Sequence, residues 1–232
     1  MNTVIKMMLK ESKSLFTHNI FKYHIDSKSY NKQSIVDTIN SNYNKQKDRN
    51  FFDNHVLVKS DIHHSYNDVG NKELPMPDYS SLVPIYENVF KELYSNLKFR
   101  EGIRINYKFL IVNYTCTNKN QFMRRHHHLP SADFSSIHYL QFDEEHSPTL
   151  FYNPGDTIAK SYMAMRDNMV ESLDLEHHSN SGYAEYTAPI YKEDDMIIFP
   201  GYLEHEILPS KHQYKRNRIT IVTNAWLEDN NV

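Results

Sequence analysis

At 232 residues with a formal net charge of -3 and a pI near 6.5, the chain is long enough for one well-buried core and lacks the polybasic footprint that drives nonspecific nucleic-acid binding. Its single cysteine, Cys116, and its five glycines exclude intrachain disulfides and thiolate zinc sites, disfavour a glycine-rich phosphate loop and fit a reducing, cytoplasmic compartment. No apolar run approaches bilayer length and the first residues lack a signal peptide's features, so a soluble intracellular protein is expected.

Residues 1–103 read as a mixed α/β support. LFTHNIFKYHI alternates enough for a strand, and NKQSIVDTINSNYNKQ opens on an Asn-x-x-Ser turn and carries helical apolar spacing. Pro75, Pro77 and Asp78 mark a loop before LVPIYENVFKELYSNLKF, whose apolar positions recur at three and four residues, as in an amphipathic helix packed on a sheet. From residue 104 the character turns to β. RINYKFLIVNYT, DFSSIHYLQF, TLFYNP, AEYTAPIY, DDMIIFP and RNRITIVTNAW are short, rich in β-branched or aromatic residues, and bounded by Pro, Gly, Asn or Asp. Short strands at this spacing imply a barrel or jelly roll over 104–232, interrupted by a polar insertion at about 155–182 that is placed to carry substrate contacts. The whole, 1–232, reads as a single domain.

Histidine, with 14 copies, is the residue type that carries the chemistry. In MRRHHHLPSADF, strand alternation turns His126 and His128 to one face and His127 to the other, which is half of a metal site; a solvated histidine tract is the plain alternative. DDMIIFPGYLEHEILP reads as strand, Pro-Gly turn and second strand, the latter carrying His205. Histidines from two distant β segments together with a carboxylate, for which Asp133 is nearest, are the ingredients of a non-haem iron site with open coordination positions. Thirteen residues beyond His205 (218 − 205), Arg218 shares a strand face with Thr220. A guanidinium fork and a hydroxyl at that spacing suit a carboxylate ligand. Arg216 reads instead as a solvated charge on an edge strand.

In order, the histidine-rich strand, FSSIHYLQFD, TLFYNP, DDMIIFPGYLEHEILP and RITIVTN resemble the 2-oxoglutarate/Fe(II) dioxygenase superfamily, in particular oxygenases common in marine bacteriophages and bacteria. FP-x-x-x-x-H followed by R-x-T is similar to that family's distal-histidine and 2-oxoglutarate-arginine motifs, and the likeness is strongest from Tyr114 to Asn224. It implies a mainly β, cupin-like double-stranded β-helix (jelly roll) flanked by N-terminal helices. It also implies Fe(II) and 2-oxoglutarate, O2 as a partner, and hydroxylation of a second, unidentified substrate. His205 and the histidine strand would hold iron, Arg218 and Thr220 the distal carboxylate of 2-oxoglutarate, and Tyr139 is a hydroxyl donor to the same cosubstrate or a packed core tyrosine.

The family's usual first motif is His-x-Asp, and this chain departs from it. Either His126 and His128 ligate as a His-x-His pair, or His128 and Asp133 supply the histidine and the carboxylate; the favoured set is His126, His128 and His205 with Asp133 as a ligand or its hydrogen-bonded support. His24-Ile25-Asp26 has the right pattern in the wrong place. Two rival functions are a cupin-type metalloenzyme without 2-oxoglutarate, which has no need of Arg218, and a non-catalytic jelly-roll module.

Overall fold

The computed structural model describes residues 18–46, 52–53, 60–68, 71–97, 105–155 and 184–229. The expected 155–182 insertion therefore lies, but for Gly155, outside the described residues. Strands form where β-branched and aromatic residues cluster between turn residues: β1 (Phe21–His24), β2 (Phe52–Asp53), β3 (Ser60–Asp61), β4 (His63–His64), β5 (Ile105–Thr117), β6 (Phe122–His126), β7 (Phe134–Gln141), β8 (Thr149–Tyr152), β9 (Tyr186–Thr187), β10 (Asp195–Pro200), β11 (His205–Ile207) and β12 (Arg218–Asp229). Two helices precede the long strands, α1 (Lys32–Gln46) and α2 (Val83–Asn96).

The strands form two six-stranded sheets, in the orders β1-β10-β7-β12-β5-β4 and β2-β3-β6-β11-β8-β9. All the pairings are antiparallel. This is the jelly-roll architecture. The AEYTAPIY segment, read as a full strand, contributes only the two exposed residues of β9, and the small strands β2 to β4 are additions that periodicity does not show.

Alternation along β7, β10 and β12 gives the first sheet two apolar faces and hence two cores. On its outer face, Leu140, Met196, Ile198, Ile219 and Ile221 pack with Ile35, Val36 and Ile39 of α1 and Tyr86, Phe90 and Leu93 of α2. In α2 the positions 86, 89, 90 and 93 recur at helical spacing and are all buried, each such side chain contributing about 1.5–3 kcal/mol through removal from water. Pro84 stands in the first turn of α2, where a missing N–H costs no hydrogen bond. On the inner face, Ile137, Tyr139, Ile197 and Phe199 meet Phe151, Tyr191 and Leu203. This second core lies between the sheets, and the candidate site is built against it.

Candidate active site

β6 and β11 are antiparallel neighbours in the second sheet, and His126 stands directly across from His205. Cross-strand partners keep their Cβ atoms about 4.5–5.5 Å apart, so this register alone brings two imidazoles together. Their ring centroids are 4.3 Å apart. On the strands' other side Glu204 accepts a hydrogen bond from Arg125 Nε at 2.9 Å, and the Arg125 guanidinium lies 4.0 Å over the Tyr152 ring, a contact that ties β6, β11 and β8 in register.

His128 reaches the same point by another route. β6 ends at His126, so His128 belongs to the turn beyond it rather than to a continuing strand. Its backbone N–H donates to the Gly201 carbonyl at 2.7 Å, and its ring stacks parallel to that of His205 with centroids 5.2 Å apart. One ligand nitrogen from each of His126, His128 and His205 lies within 4.8 Å of the others. Two of the rings have one nitrogen engaged by the backbone: His126 Nδ1 donates to the Arg124 carbonyl at 2.8 Å, and His205 Nδ1 donates to the Leu203 carbonyl at 3.0 Å. In both, the other ring nitrogen is left for an ion.

Phe199 and Phe151 wall the group, their rings 4.8 and 5.8 Å from His205. Burial among them holds the His205 ring well below the usual imidazole range, with the neighbouring His126 and His128 adding to the effect. Burial likewise lowers His126 and brings His128 down to about 4. The three rings are therefore neutral at physiological pH, the form that binds metal. Three convergent neutral imidazoles suit a divalent borderline ion such as iron.

Asp133 is not brought into this group. Its side chain is exposed and its Oδ2 accepts the Leu227 N–H at 2.8 Å, which directs the carboxylate to β12. His24 is likewise engaged elsewhere, with its own cross-strand neighbour Asp195 at 3.0 Å. Arg216 is an exposed partner of Glu193 at 2.9 Å.

Arg218 is fully buried at the start of β12. One terminal nitrogen donates to Thr149 Oγ1 at 2.9 Å, while Nε and the other terminal nitrogen have no partner among the described residues. The Tyr139 ring centroid is 5.3 Å from the guanidinium carbon, and the Tyr139 hydroxyl donates to the same Thr149 Oγ1 at 2.9 Å. Thr220 sits one alternation further along, its hydroxyl exchanging a bond with Thr115 Oγ1 at 2.7 Å. Thr149, which opens TLFYNP but is assigned no role there, thus links Arg218 to Tyr139 through its Oγ1; a Thr at a strand start is indistinguishable by type from an ordinary β-former. Thr149 pairs with Ile207 while Phe151, two residues on, pairs with His205. The arginine's contact consequently lies roughly 7 Å along β8 from the histidine row, two strand residues of about 3.4 Å each.

A family described as "Putative 2OG-Fe(II) oxygenase" matches residues 113–224, a stretch that contains all three histidines, Tyr139, Thr149, Arg218 and Asn224. No curated protein matches the chain in sequence. Among solved structures the chain is similar to a Pseudomonas putida prolyl-4-hydroxylase, with TM-score 0.44 and 11% identity over 90% of this chain and 92% of that one. It is similar also to a Trichoplax adhaerens prolyl hydroxylase solved with a hypoxia inducible factor peptide fragment, with TM-score 0.43 and 11% identity over 90% and 84% of the two chains. A third likeness is to SnoN, the non-haem alpha ketoglutarate dependent epimerase from nogalamycin biosynthesis, with TM-score 0.44 and 8% identity over 91% and 78%. These likenesses bring no substrate with them. The family match falls on the strands that carry the convergent imidazoles and the buried guanidinium, and over residues 113–224 the chain is similar to 2-oxoglutarate- and iron(II)-dependent oxygenases.

Proposed function

We propose that His126, His128 and His205 hold the ferrous ion and that Arg218 receives the distal carboxylate of 2-oxoglutarate, in a hydroxylase whose second substrate is unidentified. The observation that carries this reading is the pairing, within one barrel, of three imidazole nitrogens free to ligate and a buried guanidinium with two unsatisfied nitrogens. A buried charge without a partner is costly, and an anion removes that cost. A five-carbon dicarboxylate is of the right length to lie between the arginine and the histidine row. Iron with its cosubstrate supplies the oxidising chemistry when bound.

The chain's own residues supply position and dryness. The Arg218 fork fixes the anion's orientation, and Thr149 holds the guanidinium at one nitrogen. The Tyr139 hydroxyl, which donates to Thr149, and the Thr220 hydroxyl, which pairs with Thr115, would serve the cosubstrate on exchanging those partners. Phe151 and Phe199 exclude water from the histidine side. Asp133 acts in the loop geometry behind the site through its bond to Leu227, and the ligand set is the three histidines. Packing of α1 and α2 on the sheet that carries Arg218 supports one domain over 1–232. The buried Cys116 supports a reducing, cytoplasmic setting, and no described helix is long and apolar enough to cross a membrane. The motif order supports kinship with phage and bacterial oxygenases.

The test is metal and cosubstrate binding under anaerobic conditions. The parent is expected to take up about one ferrous ion per chain and the His205→Ala variant to lose most of it; stoichiometric iron in His205→Ala would sink the assignment.

A further inference from the structure

We propose that the hydroxyls of Thr117 and Thr149 complete the carboxylate-binding group at Arg218, each donating directly to the anion. The proposal rests on the reading of Arg218 as the anchor of 2-oxoglutarate and gives that anchor two further contacts.

Thr117 is the last residue of β5 and the Cα partner of Arg218 on β12. Cross-strand partners project to one face, with Cβ atoms about 4.5–5.5 Å apart. The next such pair along the strands, Thr115 and Thr220, shows which face it is: their hydroxyls share a bond at 2.7 Å, and a residue two positions on returns to the same side. Thr117 is 2% exposed, and its Oγ1 has no hydrogen-bond partner among the described residues. A buried hydroxyl in that condition is a cost to the fold. On the neighbouring strand the Arg218 Nε and one terminal nitrogen are equally unfilled. An acceptor-rich anion lying among these donors satisfies all of them at once.

Thr149 comes from the other sheet and is wholly buried. A hydroxyl has two lone pairs and one proton. Both lone pairs of Thr149 Oγ1 are filled, one by an Arg218 terminal nitrogen and the other by the Tyr139 hydroxyl, each at 2.9 Å. The proton must go to a third atom, and Thr149 Oγ1 donates to no acceptor among the described residues; an anion held by Arg218 is one. Neither threonine has to give up a bond to serve, whereas the Tyr139 and Thr220 hydroxyls are already engaged with Thr149 and Thr115. The rings of Tyr139 and Phe142 flank the guanidinium, with centroids 5.3 and 5.9 Å from its carbon, and hydrogen bonds to a charged group are strengthened in such surroundings. A group made of donors alone favours an ionised carboxylate over an amide or a protonated acid, each of which brings a donor of its own.

The experiment titrates 2-oxoglutarate into the anaerobic ferrous full chain and reads its affinity from the charge-transfer absorbance, in the parent and in Thr117→Val, Thr117→Ser, Thr149→Val and Thr149→Ser. Iron content and the melting temperature of each metal-free protein are measured alongside. Thr117→Val should weaken 2-oxoglutarate binding by about 10–100-fold, the effect of losing one hydrogen bond to a charged group. It should also raise the melting temperature by about 2–4 °C, because a buried unsatisfied hydroxyl is replaced by a methyl group of the same shape. A threonine that served only the fold would give the opposite pair of results. Both serine variants keep the hydroxyl and should bind close to the parent; Thr149→Val should lose at least as much as Thr117→Val, since it removes a donor and also the acceptor that holds Arg218. Parent affinity in Thr117→Val overturns the proposal, as does a serine variant that loses as much as its valine counterpart, or a Thr117→Val protein whose melting temperature falls along with its affinity. An iron-loaded parent that develops no band overturns the reading of Arg218 itself and the proposal with it, an outcome visible before any substitution is made.

Discussion

Arg218 is the largest side chain among those fully buried in the described residues, and Thr149 satisfies only one of its nitrogens. Replacing it with Lys keeps the charge but loses the planar fork. The expected result is a raised 2-oxoglutarate requirement with iron content unchanged, read from cosubstrate titrations alongside metal analysis. Asp133 behaves differently. Because its carboxylate is engaged by the Leu227 N–H, Asp133→Ala should leave metal stoichiometry at the parent value and cost about 1 kcal/mol in urea unfolding, while His126→Ala and His128→Ala lose the ion. Far from the site, burial pushes the His138 imidazole down to about 3, helped by Lys32 and His24, while its Nδ1 lies 2.7 Å from the Tyr86 hydroxyl. In the unfolded chain the same ring titrates near its ordinary value of about 6.5. As pH falls below that value the unfolded state gains a proton that the folded state refuses until about pH 3, so stability present above it declines across this window. The urea midpoint of the metal-free protein should therefore be lower at pH 5 than at pH 7.5, with a shallower fall in His138→Phe.

At the scale of elements, much was legible because short strands between turn residues leave a plain pattern. The reading of NKQSIVDTINSNYNKQ and LVPIYENVFKELYSNLKF as helices corresponds to α1 and α2, where the three-and-four spacing of Ile35, Ile39 and of Tyr86, Phe90 shows the buried face. DDMIIFP, the Pro-Gly turn and the segment around His205 correspond to β10 and β11. What periodicity could not reveal is contact across the chain. Asn42 of α1 is wholly buried and donates to the Pro75 carbonyl at 2.9 Å and to Asp68 at 3.2 Å, joining α1 to the segment around β4; an asparagine in a helix carries no mark of that. The role of Thr149 escaped for the same reason, a threonine being an ordinary residue until another strand is laid beside it. The strand rule also placed His126 and His128 on one face of a continuous strand, whereas β6 ends at His126 and His128 arrives from a turn. That turn depends on Gly201, whose N–H donates to the Asp133 carbonyl at 2.8 Å and whose carbonyl accepts from His128. A Cβ there would stand 2.1 Å from the Ala132 carbonyl oxygen, a backbone atom that cannot step aside. Gly201→Ala should accordingly displace the 128–133 turn and weaken metal binding, while a fold intact by circular dichroism with parent metal affinity would contradict this reading of the turn.

Across the whole molecule, the first sheet is the shared wall of two cores. Its outer face, under α1 and α2, is sealed by apolar side chains; its inner face gives Tyr139 and Phe199 to the space between the sheets, and β12 carries Arg218. A rigid sheet can thus hold the proposed cosubstrate anchor in fixed relation to the space between the sheets, as a site built on strands requires. The rival without 2-oxoglutarate has no role for a buried, unsatisfied guanidinium. The most direct test is to titrate 2-oxoglutarate into the anaerobic ferrous protein and follow the iron-to-cosubstrate charge-transfer absorbance, in the parent and in Arg218→Ala. The account predicts that the band develops in the parent and is abolished in Arg218→Ala while both proteins keep their iron. Absence of the band in an iron-loaded parent, or equal binding of 2-oxoglutarate by the Arg218→Ala variant, would contradict it.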